Sequence, residues 1–90
     1  MDSGGGVTEH TLTFSGVSVT VDGASVTSPY TLTKDCTIVA DYTLEDDAVI
    51  VNGTSYSQST TLNLSNTDIS ISGVDASSSE FITVTINYTA

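Results

Sequence analysis

The 90-residue chain has no arginine, and Lys34 is its single lysine. Against this it carries 11 acidic residues, a formal net charge of −10 and a pI near 4.1. Binding to nucleic acid needs basic side chains that displace counterions from phosphates, and binding to anionic membranes needs the same side chains. The composition therefore argues against a nucleic acid and against a membrane as the partner.

Cysteine and histidine are equally scarce, with Cys36 and His10 as the sole examples. One cysteine makes no internal disulfide, and a free cysteine commonly behaves as a small buried hydrophobic residue. A nucleophilic pair of Cys36 and His10 is the sharper hypothesis, but nothing beyond the two residue types supports it. A closed zinc site needs more ligands than these two. We expect no catalysis, no cofactor and no small-molecule substrate.

We also expect no targeting segment and no membrane segment. The first residues, "MDSGGGVTEH", have neither the basic nor the apolar region of a signal peptide, and no stretch approaches the ~18 apolar residues of a membrane-spanning helix. We expect a flexible glycine-rich arm over 1–7 and a single domain over 8–90. The chain has no tryptophan, two Phe and four Tyr, so its core must be small.

Hydroxyl side chains are abundant, since 14 Ser and 16 Thr make up a third of the chain. They alternate with apolar residues in "GVSVTVD", "CTIVADY" and "FITVTINYT", and a period of two predicts strands with one apolar face. No segment of ten or more residues has helical spacing, so the sequence predicts an all-β fold of about seven or eight antiparallel strands. The expected spans are 8–14, 17–22, 24–28, 36–43, 48–52, 54–57, 60–64 joined with 68–72, and 81–89.

The alternation also predicts which side chains are buried. Val19, Val21, Ile38, Val84 and Ile86 fall on the apolar faces of their strands and should form the core. The dipeptides at 22–23 and 52–53 are Asp-Gly and Asn-Gly, which are strong signals for tight hairpin turns.

A repeat links these hairpins, because "VTVDGASVTS" at 19–28 returns as "VIVNGTSYSQ" at 49–58. One hairpin unit cannot cover its own apolar face, whereas two units packed together form a two-layer sandwich. We therefore interpret the repeat as a device of the fold. Chance similarity among β sequences built from few residue types is the alternative. The residues Val19, Val21, Gly23, Ser25, Thr31 and Leu32 align with Val49, Val51, Gly53, Ser55, Thr61 and Leu62.

The stretch "VTVDGASVTSPYTLTKDCTIVADYT" resembles the Ig-like modules of phage virions and of bacterial surface proteins. Those modules lead from a V-x-V-[D/N]-G hairpin to "T-L-T-x-D-x-T-I" and a returning strand. The resemblance covers about residues 10–43, with a weaker echo over 49–72. It implies an Ig-like β-sandwich that serves as an adhesive or stabilising module on a surface, and it supplies no catalytic residue.

Four acidic residues suggest the best hypothesis for a metal. Asp41, Glu45, Asp46 and Asp47 cluster around one predicted turn, and oxygen ligands in a loop suit Ca²⁺. The spacing of an EF-hand is absent, and acidic turns are commonly just solvated. Both interpretations stay open from the sequence.

The same alternation of inward and outward side chains places some apolar residues outside the core. Val39, Ile50 and Phe81 should point away from it, and Val7 lies in the glycine-rich arm. Exposed apolar residues that gather into one patch mark an interface. We expect these four residues to contact capsid proteins, other virion proteins or further copies of the chain.

Composition and resemblance together favour a non-enzymatic structural protein. The leading hypothesis is a phage protein on the virion surface, either a capsid decoration or cement protein or a fibre component. The alternative is one Ig-like module of a bacterial cell-surface adhesin or pilus-like protein.

Overall fold

A computed structural model describes residues 9–41, 47–75 and 82–90. Throughout these ranges the chain is all-β and contains no helix. The strands are β1 (His10–Ser15), β2 (Ser18–Val21), β3 (Ala24–Ser25), β4 (Tyr30–Leu32), β5 (Cys36–Asp41), β6 (Asp47–Val51), β7 (Thr54–Tyr56), β8 (Thr60–Ser65), β9 (Ile69–Asp75) and β10 (Thr83–Thr89).

The strands form two five-stranded sheets. The first sheet has the order β4-β1-β9-β6-β7, and the second has the order β3-β2-β5-β10-β8. Both sheets are mixed, because β1 pairs parallel with β9 and β10 pairs parallel with β8, while the other neighbours are antiparallel. The prediction of a purely antiparallel fold is therefore wrong. Its error lies in the first and last strands, which no hairpin constrains and which pair with strands distant in sequence.

One hydrophobic core joins the inner faces of the two sheets. Leu12, Val49 and Ile71 enter it from the first sheet, and Ile38 and Ile86 enter it from the second. The predicted core is confirmed, since none of its five residues is more than 6% exposed. Those five are Val19, Val21, Ile38, Val84 and Ile86.

Both predicted hairpin turns are present and are built alike. Asp22 and Asn52 have φ of 50° and 48°, and the glycine after each has φ of 84° and 87°. Two consecutive positive φ values belong to the tight hairpin turn that Asp-Gly and Asn-Gly favour. Each side chain then binds the neighbouring strand: Asp22 Oδ1 accepts the N–H of Thr37, and Asn52 Oδ1 accepts the N–H of Ser70, both at 2.8 Å.

The two repeated units exchange a strand. Strands β2, β3 and β5 of the first unit lie in the second sheet, while the intervening β4 lies in the first. The second unit mirrors this, because β6, β7 and β9 lie in the first sheet and β8 lies in the second. The units therefore interlock, and neither sheet is made from one unit alone. Strands β1 and β10 complete the sheets beside β4 and β8.

This exchange explains where the predicted strands differ from the observed ones. Residues 60–64 and 68–72 were expected to act as one strand, but β8 and β9 belong to different sheets and the chain crosses between them at 66–68. The short strand Tyr30–Leu32 was not predicted, so the described residues hold ten strands and not seven or eight. The expected arm at 1–7 lies outside the described residues.

Candidate functional site

The ring of His10 lies between two oxygen acceptors where β1 begins. Nδ1 lies 3.1 Å from Oδ1 of Asp68, and Nε2 lies 2.9 Å from Oδ1 of Asn66. A protonated ring donates to both oxygens, whereas a neutral ring donates from only one nitrogen. The His10 side chain is half-buried, with 20% of its surface exposed. Its contacts attach the start of β1 to the connection between β8 and β9.

The carboxylate of Asp68 has a second bond that explains its electrostatics. Its Oδ1 accepts the backbone N–H of Thr11 at 3.0 Å. This bond, followed by the bond with His10, lowers the pKa of the Asp68 carboxyl below its usual range. The carboxylate is largely exposed to solvent. An ionised carboxylate that receives a backbone N–H acts here as a structural acceptor.

The same device occurs in the first unit. Asp35 precedes β5 as Asp68 precedes β9, and its Oδ1 accepts the backbone N–H of Ala90 at 2.9 Å. Sequence reasoning missed this pair, although "DCTI" at 35–38 and "DISI" at 68–71 carry the signal. The carboxylate-to-backbone bond occurs in both units, and His10 adds a contact to one of them. The arrangement is therefore better explained by a structural role than by a catalytic one.

The thiol of Cys36 is half-buried at the start of β5. Burial raises the pKa of the Cys36 thiol, Asp22 raises it further, and Lys34 opposes them. A raised pKa keeps the thiol protonated at neutral pH, and the thiolate is the nucleophilic form. The depression beside it, also lined by Val21 and Tyr30, holds ≈ 20 Å³, which is room for about one water. The ring nitrogens of His10 face Asp68 and Asn66 and not this thiol.

The predicted acidic cluster lies mostly outside the described residues. Glu45 and Asp46 are among those outside, and only the backbone of Asp47 is described, in β6. Asp41 is half-buried, and its Oδ1 accepts the hydroxyl of Thr83 at 2.7 Å. Across 9–41, 47–75 and 82–90, no three His, Cys, Asp or Glu side chains come together as a metal site would need.

Of the four predicted contact residues, two can be located. Val39 and Ile50 are both half-buried and lie between inward-facing neighbours, so they point outward as the parity predicted. They lie on different sheets, Val39 in β5 and Ile50 in β6, so these two do not share one patch. Val7 and Phe81 fall outside the described residues.

Each of these aliphatic residues stands in a row of hydroxyl side chains across its sheet. Strand pairing places Val39 between Thr85 and Thr20. On the other sheet it places Ile50 between Ser72 and Ser55. Each row combines short hydroxyl side chains with one aliphatic side chain.

Comparison with known proteins found no matching family model, no matching curated protein and no matching solved structure. Within the part of the chain that the structure describes, no helix is long and apolar enough to cross a membrane.

Proposed function

We propose that this chain is a non-enzymatic structural protein of a phage virion that decorates or cements the capsid or forms part of a fibre. The observation that carries the proposal is the neutral chemistry of the two outer rows. They present Thr20, Thr85 and Ser72 around Val39 and Ile50, in a chain with 11 acidic residues.

The described acidic residues lie toward the ends of the strands. Asp22 stands in a hairpin turn, Asp35 and Asp68 each precede a strand, and Asp41 ends β5. Charge at the ends keeps a protein soluble and discourages non-specific association. Neutral faces with charged ends favour a small module that sits on another protein through a sheet surface.

The two-sheet core agrees with the Ig-like module that the sequence resembles over 10–43. The interlocked units support a rigid body, since each sheet depends on strands from both halves of the chain. Rigidity suits a decoration or cement protein, because a preorganised surface loses little conformational entropy when it binds. We therefore propose that the fold is an Ig-like sandwich with mixed sheets.

The test is to find the protein in its native setting. Antibodies raised against the purified chain should detect it in particles banded from a lysate of the source culture, and immunogold labelling should place it on the particle surface. Detection in the cell-envelope fraction would favour the bacterial adhesin module. Detection only among free cytosolic proteins would contradict both assignments.

Two substitutions then ask which face binds. Val39→Ser changes the outer face of the second sheet, and Ile50→Ser changes that of the first. We expect one of them to reduce occupancy on the particle while the melting temperature stays near that of the wild type. Thr85→Ser, in the same row as Val39, is the matched control for a change without loss of an aliphatic contact. Full occupancy for both variants would rule out the rows as the contact.

A further inference from the structure

The edges of the two sheets are protected unequally. An edge strand presents unpaired backbone N–H and C=O groups, and proteins protect such strands by shortness, charge or proline. In the described sheets the edge strands are β4 and β7 in the first and β3 and β8 in the second. Strand β3 has two residues and β4 and β7 have three each, whereas β8 has six.

The repeat provides a direct comparison, because β4 and β8 hold the same place in their units. Pro29 stands immediately before β4, and Lys34 and Asp35 follow it closely. Strand β8 reads "TTLNLS" and has no charge of its own, and Asp68 follows it at the same distance as Asp35 follows β4. The two edges differ in that β4 is short and is flanked by Pro29 and Lys34, whereas β8 is longer and has neither a proline nor a lysine beside it.

The inner side of β8 is also incompletely covered. Leu62 and Leu64 alternate toward the core but remain half-buried, whereas Ile86 and Tyr88, their partners on β10, are 0% and 2% exposed. On the outer side, Asn87 Nδ2 donates to Asn63 Oδ1 at 3.2 Å, which fixes β8 against β10. Among the residues that the structure describes, no strand pairs with the other edge of β8, and one more strand there would cover the two leucines.

We propose that β8 is a docking edge that accepts an extended segment of a partner protein as the sixth strand of the second sheet. Backbone hydrogen bonds supply affinity in this mode of recognition, and alternate side chains supply specificity. The segment has apolar side chains at alternate positions, which pack beside Leu62 and Leu64. The inference rests on the proposed binding function and adds a second contact surface to the outer rows around Val39 and Ile50.

The charge of the chain decides the nature of the occupant. A net charge of −10 repels a second copy of the same chain and attracts a basic segment. Strand β8 has no charged side chain. A basic segment is therefore attracted by the net negative charge of the protein and is not repelled by any positive side chain on the strand. The occupant is therefore a basic strand of another protein.

The first experiment uses the wild-type chain and a synthetic probe. The probe is an eight-residue peptide of alternating threonine and valine with a lysine at each end. Amide hydrogen exchange measured by NMR should slow by about tenfold or more at alternate residues of β8, those whose N–H points away from β10. Exchange in β4 and β7 should stay unchanged. A peptide with proline in place of its central valine should have no effect, and one with glutamate ends should bind more weakly.

Three results of this experiment would overturn the proposal. They are unchanged exchange in β8 at millimolar peptide, equal protection of β4 and β7, and equal binding of the proline peptide. Sedimentation of the free chain provides a further check. A dimer whose β8 amides are protected without peptide would show that a second copy occupies the edge.

Substitutions provide an independent check. Thr61→Pro and Leu62→Pro each remove one N–H, and since neighbouring residues point to opposite sides, only one of them breaks the ladder with β10. The variant that keeps the wild-type melting temperature should lose peptide protection, and retained protection in it would overturn the proposal. Thr31→Pro in β4 is the matched control. If both β8 variants unfold, the wild-type exchange experiment decides.

The same variant separates this inference from the proposed function. Peptide binding at β8 by a protein that is absent from particles would leave the docking edge intact and refute the virion role. Full occupancy on particles by the stable proline variant would support the virion role and refute β8 as the docking edge.

Discussion

Ile86 lies in the middle of β10, with Ile38 of β5 on one side and Leu62 of β8 on the other. Its side chain is 0% exposed, so Ile86→Ala removes buried methyl groups and leaves a cavity between the sheets. Substitutions of this kind cost about 2–5 kcal/mol. Ile86 has a full set of neighbours, and its place in the interior of a sheet limits how far they can collapse, so we expect a value in the upper half of that range.

Ile50→Ala is the matched control, because it deletes the same atoms from a half-buried residue on an outer face. Folding removes less apolar surface from water at position 50 than at position 86. We therefore expect Ile50→Ala to lower the free energy of unfolding by about 1 kcal/mol or less. Urea unfolding followed by circular dichroism measures both variants, and for a domain of this size each kcal/mol corresponds to about 4–8 °C in melting temperature. Equal losses for the two variants would refute the assignment of Ile50 to an outer face.

Three further predictions concern single groups in the described residues. Gly16 has φ of 72°, and a Cβ on it would lie 3.3 Å from the carbonyl oxygen of Gly73, so Gly16→Ala should cost about 1–3 kcal/mol by urea unfolding. Gly23→Ala, which has a similar φ but open space, should cost less, and the opposite order would contradict the close approach. The hydroxyl of Tyr88 is buried without a hydrogen-bond partner among the residues described, so Tyr88→Phe should stabilise the protein by about 1 kcal/mol or more. A lower melting temperature for that variant would show that the hydroxyl is bonded. The pKa of Asp68 is lower in the folded chain than its ordinary value, so its contribution to stability is complete above about pH 4 and is lost as the pH falls through the folded-state pKa. Acid unfolding of Asp68→Asn should lack that component, and an acid profile identical to the wild type would contradict it.

The edge of β8 and the rows around Val39 and Ile50 are the two contact surfaces that we propose. Strand addition at β8 uses backbone groups and follows the plane of the second sheet, whereas the rows use side chains and face away from the core. The experiments on proline and serine variants separate these contacts, because each variant alters only one of them.

Local chemistry determined several features of this protein directly. Alternation placed Val19, Val21, Ile38, Val84 and Ile86 in the core, because successive side chains of a strand point to opposite faces. The Asp-Gly and Asn-Gly pairs determined both hairpin turns, since few residues tolerate two positive φ values in succession. The same parity put Val39 and Ile50 outside. Each of these features depends on neighbours within a few positions, which the sequence displays.

Tertiary structure alone decided which strands pair. The three residues Tyr30–Leu32 are too short to show a period, and they become a strand only because β1 lies beside them. The chain between Leu64 and Ile69 shows turn residues but not that it crosses from one sheet to the other. The contact of His10 with Asp68 joins positions 58 apart in the chain. The exchange of β4 and β8, the parallel partners of β1 and β10 and the edge position of β8 among the described strands all follow from burying both apolar faces in one core, a long-range condition that no local pattern expresses.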